Sequence, residues 1–299
     1  MAAIKDSERG RIAPIKSVSP SRAGALLGCR LAEAFRAAGT APRLPTHPKA
    51  HFGILAHAFL RDAARGAFSG KSATEIRAEW RIAVEAYEEN LRREPSDCVV
   101  IPLIQTCDDF EVNAYRLIAA AARLAANSTR LRERTSFRGS ALEMENASKD
   151  GQIVGRLDRI TWEDGELAVT DVKTGQVNDS EGKLRAATRI QLLLYSYLVH
   201  EQFGRWPTTL RVLPLHSDPI TVPFVPAEAQ ELAERMKARL IDANELIGKV
   251  RAGSACESEL ASPSVESCRF CRYRPSCESY WEAMTSVIDG KRGCSDHGK

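Results

Sequence analysis

Gly155-Arg156-Leu157-Asp158, followed by Leu167-Ala168-Val169-Thr170-Asp171-Val172-Lys173-Thr174-Gly175, is the stretch whose reading decides the fold. Lys149-Asp150-Gly151 marks a turn, and Ile153 to Trp162 then predicts one strand. Asp164-Gly165 lies between apolar runs and predicts a hairpin turn, with Glu166 to Val172 as the second strand. Side chains alternate along a strand, so Asp171 and Lys173 point to the same side. Asp158, on the neighbouring strand, is within reach of that side. Two carboxylates and an ammonium at one strand end make a site for a divalent cation beside a group that can handle a proton. Hard cations such as Mg2+ prefer oxygen ligands, and a bound metal polarises a phosphoryl oxygen and acidifies bound water.

Working outward, Ile190, Leu193, Leu194, Tyr197 and Leu198 recur at helical spacing and predict an amphipathic helix from Thr188 to Phe203, stopped by Gly204. Gln191 and Tyr195 sit four apart and therefore on one face, at the edge of the apolar stripe. Ser140 to Ala147 predicts the strand that precedes the central pair, and its Glu143 or Glu145 is a further possible metal ligand. Thr209 to Leu215 and Ile220 to Phe224 predict strands around an Asp218-Pro219 turn. Pro226 opens a long helix to about Lys249, with Ala229, Leu232, Met236, Leu240, Ala243 and Ile247 as its stripe.

Upstream, residues 1–16 predict a flexible tail, and Ser19-Pro20 an N-cap and first helical position for a short helix ending near Gly28. Helices are expected over His51 to Ala67, Ala73 to Arg93 and Thr106 to Ala126, the last opened by a Thr106/Asp109 capping box. Gly66-Ala67-Phe68-Ser69-Gly70-Lys71-Ser72 resembles a phosphate-binding loop, but it is one residue short between its glycines and follows a helix instead of a strand. It is a helix stop and a turn, so the chain carries no motor motif. Arg130, Arg132, Arg134 and Arg138 form a basic run that can meet nucleic-acid phosphates without reading sequence.

Composition sets the outer bounds. The 299 residues, 43% hydrophobic and 27% charged, are those of a globular protein with a sizeable core. A net charge of +3 permits a polyanionic partner without requiring one. No apolar run reaches membrane-span length, and the absence of an apolar leader favours the cytoplasm and excludes a membrane partner. Eight cysteines in such a chain do not make a disulfide framework. Cys268, Cys271 and Cys277 form a C-x2-C-x5-C triplet, which needs a fourth ligand to close either a tetrahedral zinc site or an iron–sulfur cube. Cys29 is the candidate, with Cys256 as the alternative; Cys98, Cys107 and Cys294 are ordinary thiols.

Gly155-x-x-Asp158, Asp171-x-Lys173-Thr174-Gly175, Gln191-x-x-x-Tyr195 and, upstream, Gly53-x-x-x-His57-x-x-Leu60 occur in one order over roughly half the chain. Together they resemble the RecB-like branch of the PD-(D/E)XK nuclease superfamily. The resemblance implies an α/β fold with a restriction-endonuclease-like mixed sheet over about residues 136–225. It also implies a helical N-terminal region (17–135) carrying Cys29 and His57, and a C-terminal helix and iron–sulfur region (226–299). His57, Asp158, Asp171 and the backbone carbonyl of Val172 would hold Mg2+ or Mn2+. Lys173 would orient or deprotonate the attacking water, and Gln191 and Tyr195 would position Lys173 or a phosphate. One cysteine near the start and C-x2-C-x5-C near the end resembles the 4Fe–4S staple of AddB-type and CRISPR-associated RecB-like nucleases, although this chain has Arg30 where those often have proline. The implied activity is hydrolysis of DNA, most simply exonucleolytic on single strands or duplex ends, in repair, antiviral defence or CRISPR adaptation. A helicase or CRISPR adaptation protein is an implied partner; a catalytically silent DNA-binding scaffold is the rival reading.

Overall fold

The computed structural model describes residues 10–93, 102–132, 139–163, 166–215 and 217–292. The chain divides into two compact units: Met1–Leu44, Lys149–Ile153 and Glu231–Lys299 form one, Pro45–Ser148 and Val154–Gln230 the other.

The second unit holds a five-stranded mixed sheet in the order β1 (Gly139–Ala147), β2 (Val154–Glu163), β3 (Glu166–Lys173), β4 (Thr209–Pro214), β5 (Ile220–Val222). The first three strands are antiparallel neighbours, β4 runs parallel to β3, and β5 returns antiparallel. A parallel pair needs a crossover, and helix Ala186–Phe203 supplies it. This is the mixed α/β sheet expected of a restriction-endonuclease-like core. The Asp164-Gly165 turn lies outside the described residues, but Glu163 pairs with Glu166 across it. Gly204 stops the crossover helix in the left-handed region at φ 66°, where glycine meets no steric penalty.

That crossover helix departs from the amphipathic expectation. Every residue from Gln191 to Val199 is buried, because Leu192 and Val199 fill the side that the Leu193/Leu194/Tyr197/Leu198 stripe leaves open. A helix apolar all round belongs in an interior.

Three helices of the same unit, Pro48–Ala64, Ala73–Arg93 and Phe110–Arg132, enclose a second core built on aromatic rings. Phe52 meets Trp80 and Phe110 edge-on at centroid distances of 5.8 and 5.5 Å, and Phe59 packs on Phe68 and Trp80. The Thr106/Asp109 capping box does not form. Thr106 ends a one-turn helix, Leu103–Thr106, and its hydroxyl donates to the Pro102 carbonyl; Asp109 sits at φ 60°, in the turn that starts the next helix at Phe110. A capping box does exist at Ser72 and Glu75, where the serine N–H donates to the carboxylate at 2.7 Å and the Glu75 N–H donates back to Ser72 Oγ. The phosphate-loop look-alike therefore ends in a helix cap.

In the other unit, segments from both ends of the chain are tied together. Val18 bridges Ile153, and Asn244 brackets the backbone of Ile15, its Oδ1 accepting from the N–H at 2.7 Å and its Nδ2 donating to the carbonyl at 2.9 Å. Leu44 N–H donates to the Arg272 carbonyl at 2.7 Å, Arg272 Nε donates to the Leu44 carbonyl at 2.8 Å, and Ser276 Oγ donates to the Pro42 carbonyl. The stripe of helix Pro226–Arg251 is buried as expected. Among the described residues no helix is long and apolar enough to cross a membrane.

Phe52 is 2% exposed and touches two other rings. Phe52→Ala should cost about 3–5 kcal/mol of stability in chemical denaturation, since it removes a ring and leaves a cavity. A loss below about 1 kcal/mol would show that the helical core does not depend on this cluster.

Candidate active site

The antiparallel register of β2 with β3 stops at Arg159 and Thr170. One step further along it, Asp158 would face Asp171. There the carboxylate replaces the backbone ladder: Asp158 Oδ2 accepts the Val172 N–H at 2.8 Å. The other oxygen, Oδ1, lies 3.6 Å from His57 Nδ1. Helix Pro48–Ala64 brings the imidazole to this strand end, and Gly53 lets the helix approach. A Cβ on Gly53 would stand 3.2 Å from Thr174 Oγ1, tighter than ordinary contact. His57, Asp158, Asp171 and Lys173 thus converge, as the motif spacing implies. Of the two upstream glutamates, Glu145 is exposed and makes no recorded contact with this group, while the Glu143 side chain lies outside the described residues.

Asp171 is 1% exposed, and Lys173 Nζ stands 3.0 Å from its Oδ2. Lys173 also donates to Gln191 Oε1 at 2.6 Å, and Gln191 Nε2 donates to Asp171 Oδ1 at 2.9 Å and to Tyr195 Oη at 3.0 Å. Tyr195 donates onward to the Arg156 carbonyl at 3.0 Å. The chain of donors leaves one orientation for each group. Tyr195 anchors on the sheet backbone, the amide of Gln191 is fixed with its oxygen toward the ammonium, and Asp171 and Lys173 are held side by side.

Burial pushes the Asp171 carboxyl up to about 6, opposed by the Lys173 charge and raised further by Asp158. Burial works against a charge on His57, but the hydrogen bond and charge of Asp158 and the charge of Asp171 outweigh it and raise its pKa. Burial also raises the Tyr195 phenol, which keeps it a neutral donor.

Asp171 Oδ2 is buried and faces the Lys173 ammonium at 3.0 Å, while Asp158 Oδ1 points toward His57. Carboxylate oxygens gathered beside an imidazole make a donor set that an oxygen-seeking cation accepts. A pocket of about 40 Å3 beside His57 and Asp158 has room for a few waters.

A family model for the PD-(D/E)XK nuclease superfamily matches residues 17–278. The chain belongs to that superfamily. Its members are metal-dependent nucleases whose chemistry is phosphodiester hydrolysis, typically with Mg2+ or Mn2+. Among solved structures, the crystal structure of SSO0001 is 17% identical over 45% of this chain and 69% of that one, at a TM-score of 0.21, too low to bear on fold or function. No curated protein matched.

The cysteines form a second group. Cys29, Cys268, Cys271 and Cys277 are half-buried in one unit. Burial raises the thiols of Cys271 and Cys277, and the charges of Cys29 and Cys268 raise both further. Cys256 is exposed and engaged in a cap with Glu259. Among the described residues, no group of three or more His, Cys, Asp or Glu side chains is placed so that it could hold a metal ion. Cys98, Cys294, Arg134 and Arg138 lie outside the described residues, as do the side chains of Arg130 and Arg132. What the motifs did not disclose is the Arg156 carbonyl as the end point of the Tyr195 bond; no side-chain pattern marks a backbone acceptor.

A folded-state value near 6 lies above the ordinary carboxylate range, so the metal-free protein gains from a protonated Asp171 at low pH and loses that gain as pH rises through about 6. Asp171→Asn should therefore melt no lower than wild type at pH 8 without metal. In the wild type, Mn2+ should raise the melting temperature more at pH 8 than at pH 5.5, because the ion competes with a proton. A variant that still gains from Mn2+ would remove Asp171 from the metal site.

Proposed function

We propose that this chain is a deoxyribonuclease of the RecB-like branch that hydrolyses single-stranded or end-containing DNA with Mg2+ or Mn2+. The convergence of His57, Asp158 and Asp171 at one strand end, with Lys173 held beside Asp171 by Gln191, carries this reading. His57, Asp158, Asp171 and the Val172 carbonyl are the cation's ligands. When bound, the cation polarises a phosphoryl oxygen and acidifies a water.

The remaining work falls to the chain. Lys173 presents its ammonium where negative charge develops on the phosphate and orients the attacking water, a contribution strengthened by partial burial. Gln191 fixes both partners of that pair. Tyr195 holds Gln191 against the sheet and, as a neutral donor, leaves the charge balance unchanged. Asp158 touches three parts of the site, standing on β2 with one oxygen on the β3 backbone and the other toward His57 on helix Pro48–Ala64.

Cys29, Cys268, Cys271 and Cys277 hold a 4Fe–4S cluster in the same proposal. A cube needs four thiolates, and the influence of Cys29 and Cys268 on both Cys271 and Cys277, together with the cap that occupies Cys256, supports this set over the alternative. Its role is structural: it closes a loop of most of the chain's length and restricts the unfolded ensemble.

End-labelled single-stranded DNA should be degraded by anaerobically purified protein with Mn2+, and Lys173→Ala should slow this by about 10²–10⁴-fold. Cys29→Ser should lose the cluster's visible absorption and lower the melting temperature. Cleavage that survives in Lys173→Ala would sink the catalytic assignment, and iron retained in full by Cys29→Ser would sink the cluster's ligand set.

A further inference from the structure

A cleft of about 700 Å3 opens directly beyond the catalytic strand, in the unit that carries the sheet. Its lining includes Thr174, Gly175 and Gln176, the residues that follow Lys173, and brings together three cations that are far apart in sequence: Lys49 from helix Pro48–Ala64, Arg116 from helix Phe110–Arg132, and Arg185 at the start of the crossover helix. All three are exposed. Asn113 adds an amide from the same helix as Arg116.

Sites for small apolar ligands are lined mainly by hydrophobic and aromatic side chains. This cleft is lined mainly by charged and polar groups. Arg185 is set in place from below, its Nε donating to the Asn178 carbonyl at 3.1 Å and its Nη2 to Gln176 Oε1 at 3.3 Å. Those bonds orient a planar fork suited to phosphate oxygens. Two acidic residues, Asp108 and Asp109, also line it, so the three cations leave one net positive charge. Asp108 meets Lys49 at 3.2 Å, but the two side chains are 82% and 55% exposed, and an ion pair so hydrated yields readily to a stronger anion.

We propose that this cleft seats the sugar–phosphate backbone of the DNA strand on one side of the scissile bond, with Lys49, Arg116 and Arg185 on its phosphates. The proposal rests on the nuclease reading above, since the cleft's position gains meaning from Lys173 at its head. It assigns these residues to positioning without base recognition, because contacts of this kind go to phosphate and carry no sequence information.

The test uses the full chain and a fluorescent single-stranded oligonucleotide. Binding is followed by anisotropy in Ca2+, and cleavage in Mn2+. Arg116→Gln/Arg185→Gln should weaken binding at least about tenfold irrespective of base sequence, and lower the slope of log Kd against log salt by about one per cation removed. KM should rise by a similar factor while kcat changes less than about twofold. Arg235→Gln, which removes an exposed cation from the other unit, is the charge control and should leave binding unchanged. Both cleft arginines are exposed, and an unaltered melting temperature verifies the fold. If the double variant binds and cuts as wild type does, the cleft proposal falls and the nuclease reading stands. If wild type binds DNA through these arginines but cuts nothing, the cleft stands and the nuclease reading falls. If wild type neither binds nor cuts, both fall.

Discussion

A carboxylate held almost wholly out of water is the constraint on which the site depends. Asp171 is 1% exposed and titrates near 6, so its charged form is maintained at a cost that only neighbours or a cation can offset. Lys173 and Gln191 supply part of the compensation, and they can do so because β3 places Asp171 and Lys173 on one side and the crossover helix runs over that strand. The sheet, the crossover and the polar network are therefore coupled: the parallel β3–β4 pairing requires a crossover, the crossover carries Gln191 and Tyr195, and these set the geometry of the two charged groups.

Much of the fold was legible because the local signals agreed. Period-two runs gave the strands at 139–163 and 166–173 to within a residue or two. Gly204 and Pro226 carried their usual helix-boundary meaning. The site residues were legible for a related reason: Asp-x-Lys on a strand and Gln-x-x-x-Tyr on a helix are each fixed by the period of their element, so spacing alone places the pairs on common faces. What failed were judgements that needed the third dimension. Periodicity marked one stripe of the crossover helix and could not show that Leu192 and Val199 are also covered. The Thr106/Asp109 box failed because Thr106 closes one helix before Asp109 leads into another, a distinction between ends that residue types do not carry. Lys49, Arg116 and Arg185 gave no signal at all, since three isolated cations in unrelated segments meet only after folding.

Gly53 shows how little separates motif from packing. A glycine in a helix interior is unfavourable by about 1 kcal/mol relative to alanine, and nothing in the helix itself rewards it. The contact that a Cβ would force on Thr174 supplies the reason: the helix carrying His57 sits close enough to the strand end for the imidazole to come within 3.6 Å of Asp158.

The interleaving of the two units along the chain has a temporal consequence. Pro45–Ser148 and Val154–Gln230 contain every element of the sheet-bearing unit, so that unit's contacts are all available once residue 230 has been made. The other unit joins residues before 44 to residues beyond 231, pairings of long sequence separation that are intrinsically slow. As chains emerge from the ribosome N-terminal end first, Cys29 precedes the whole sheet-bearing unit, whereas Cys268, Cys271 and Cys277 follow it. Those three thiols can therefore meet Cys29 only after the sheet has had time to form.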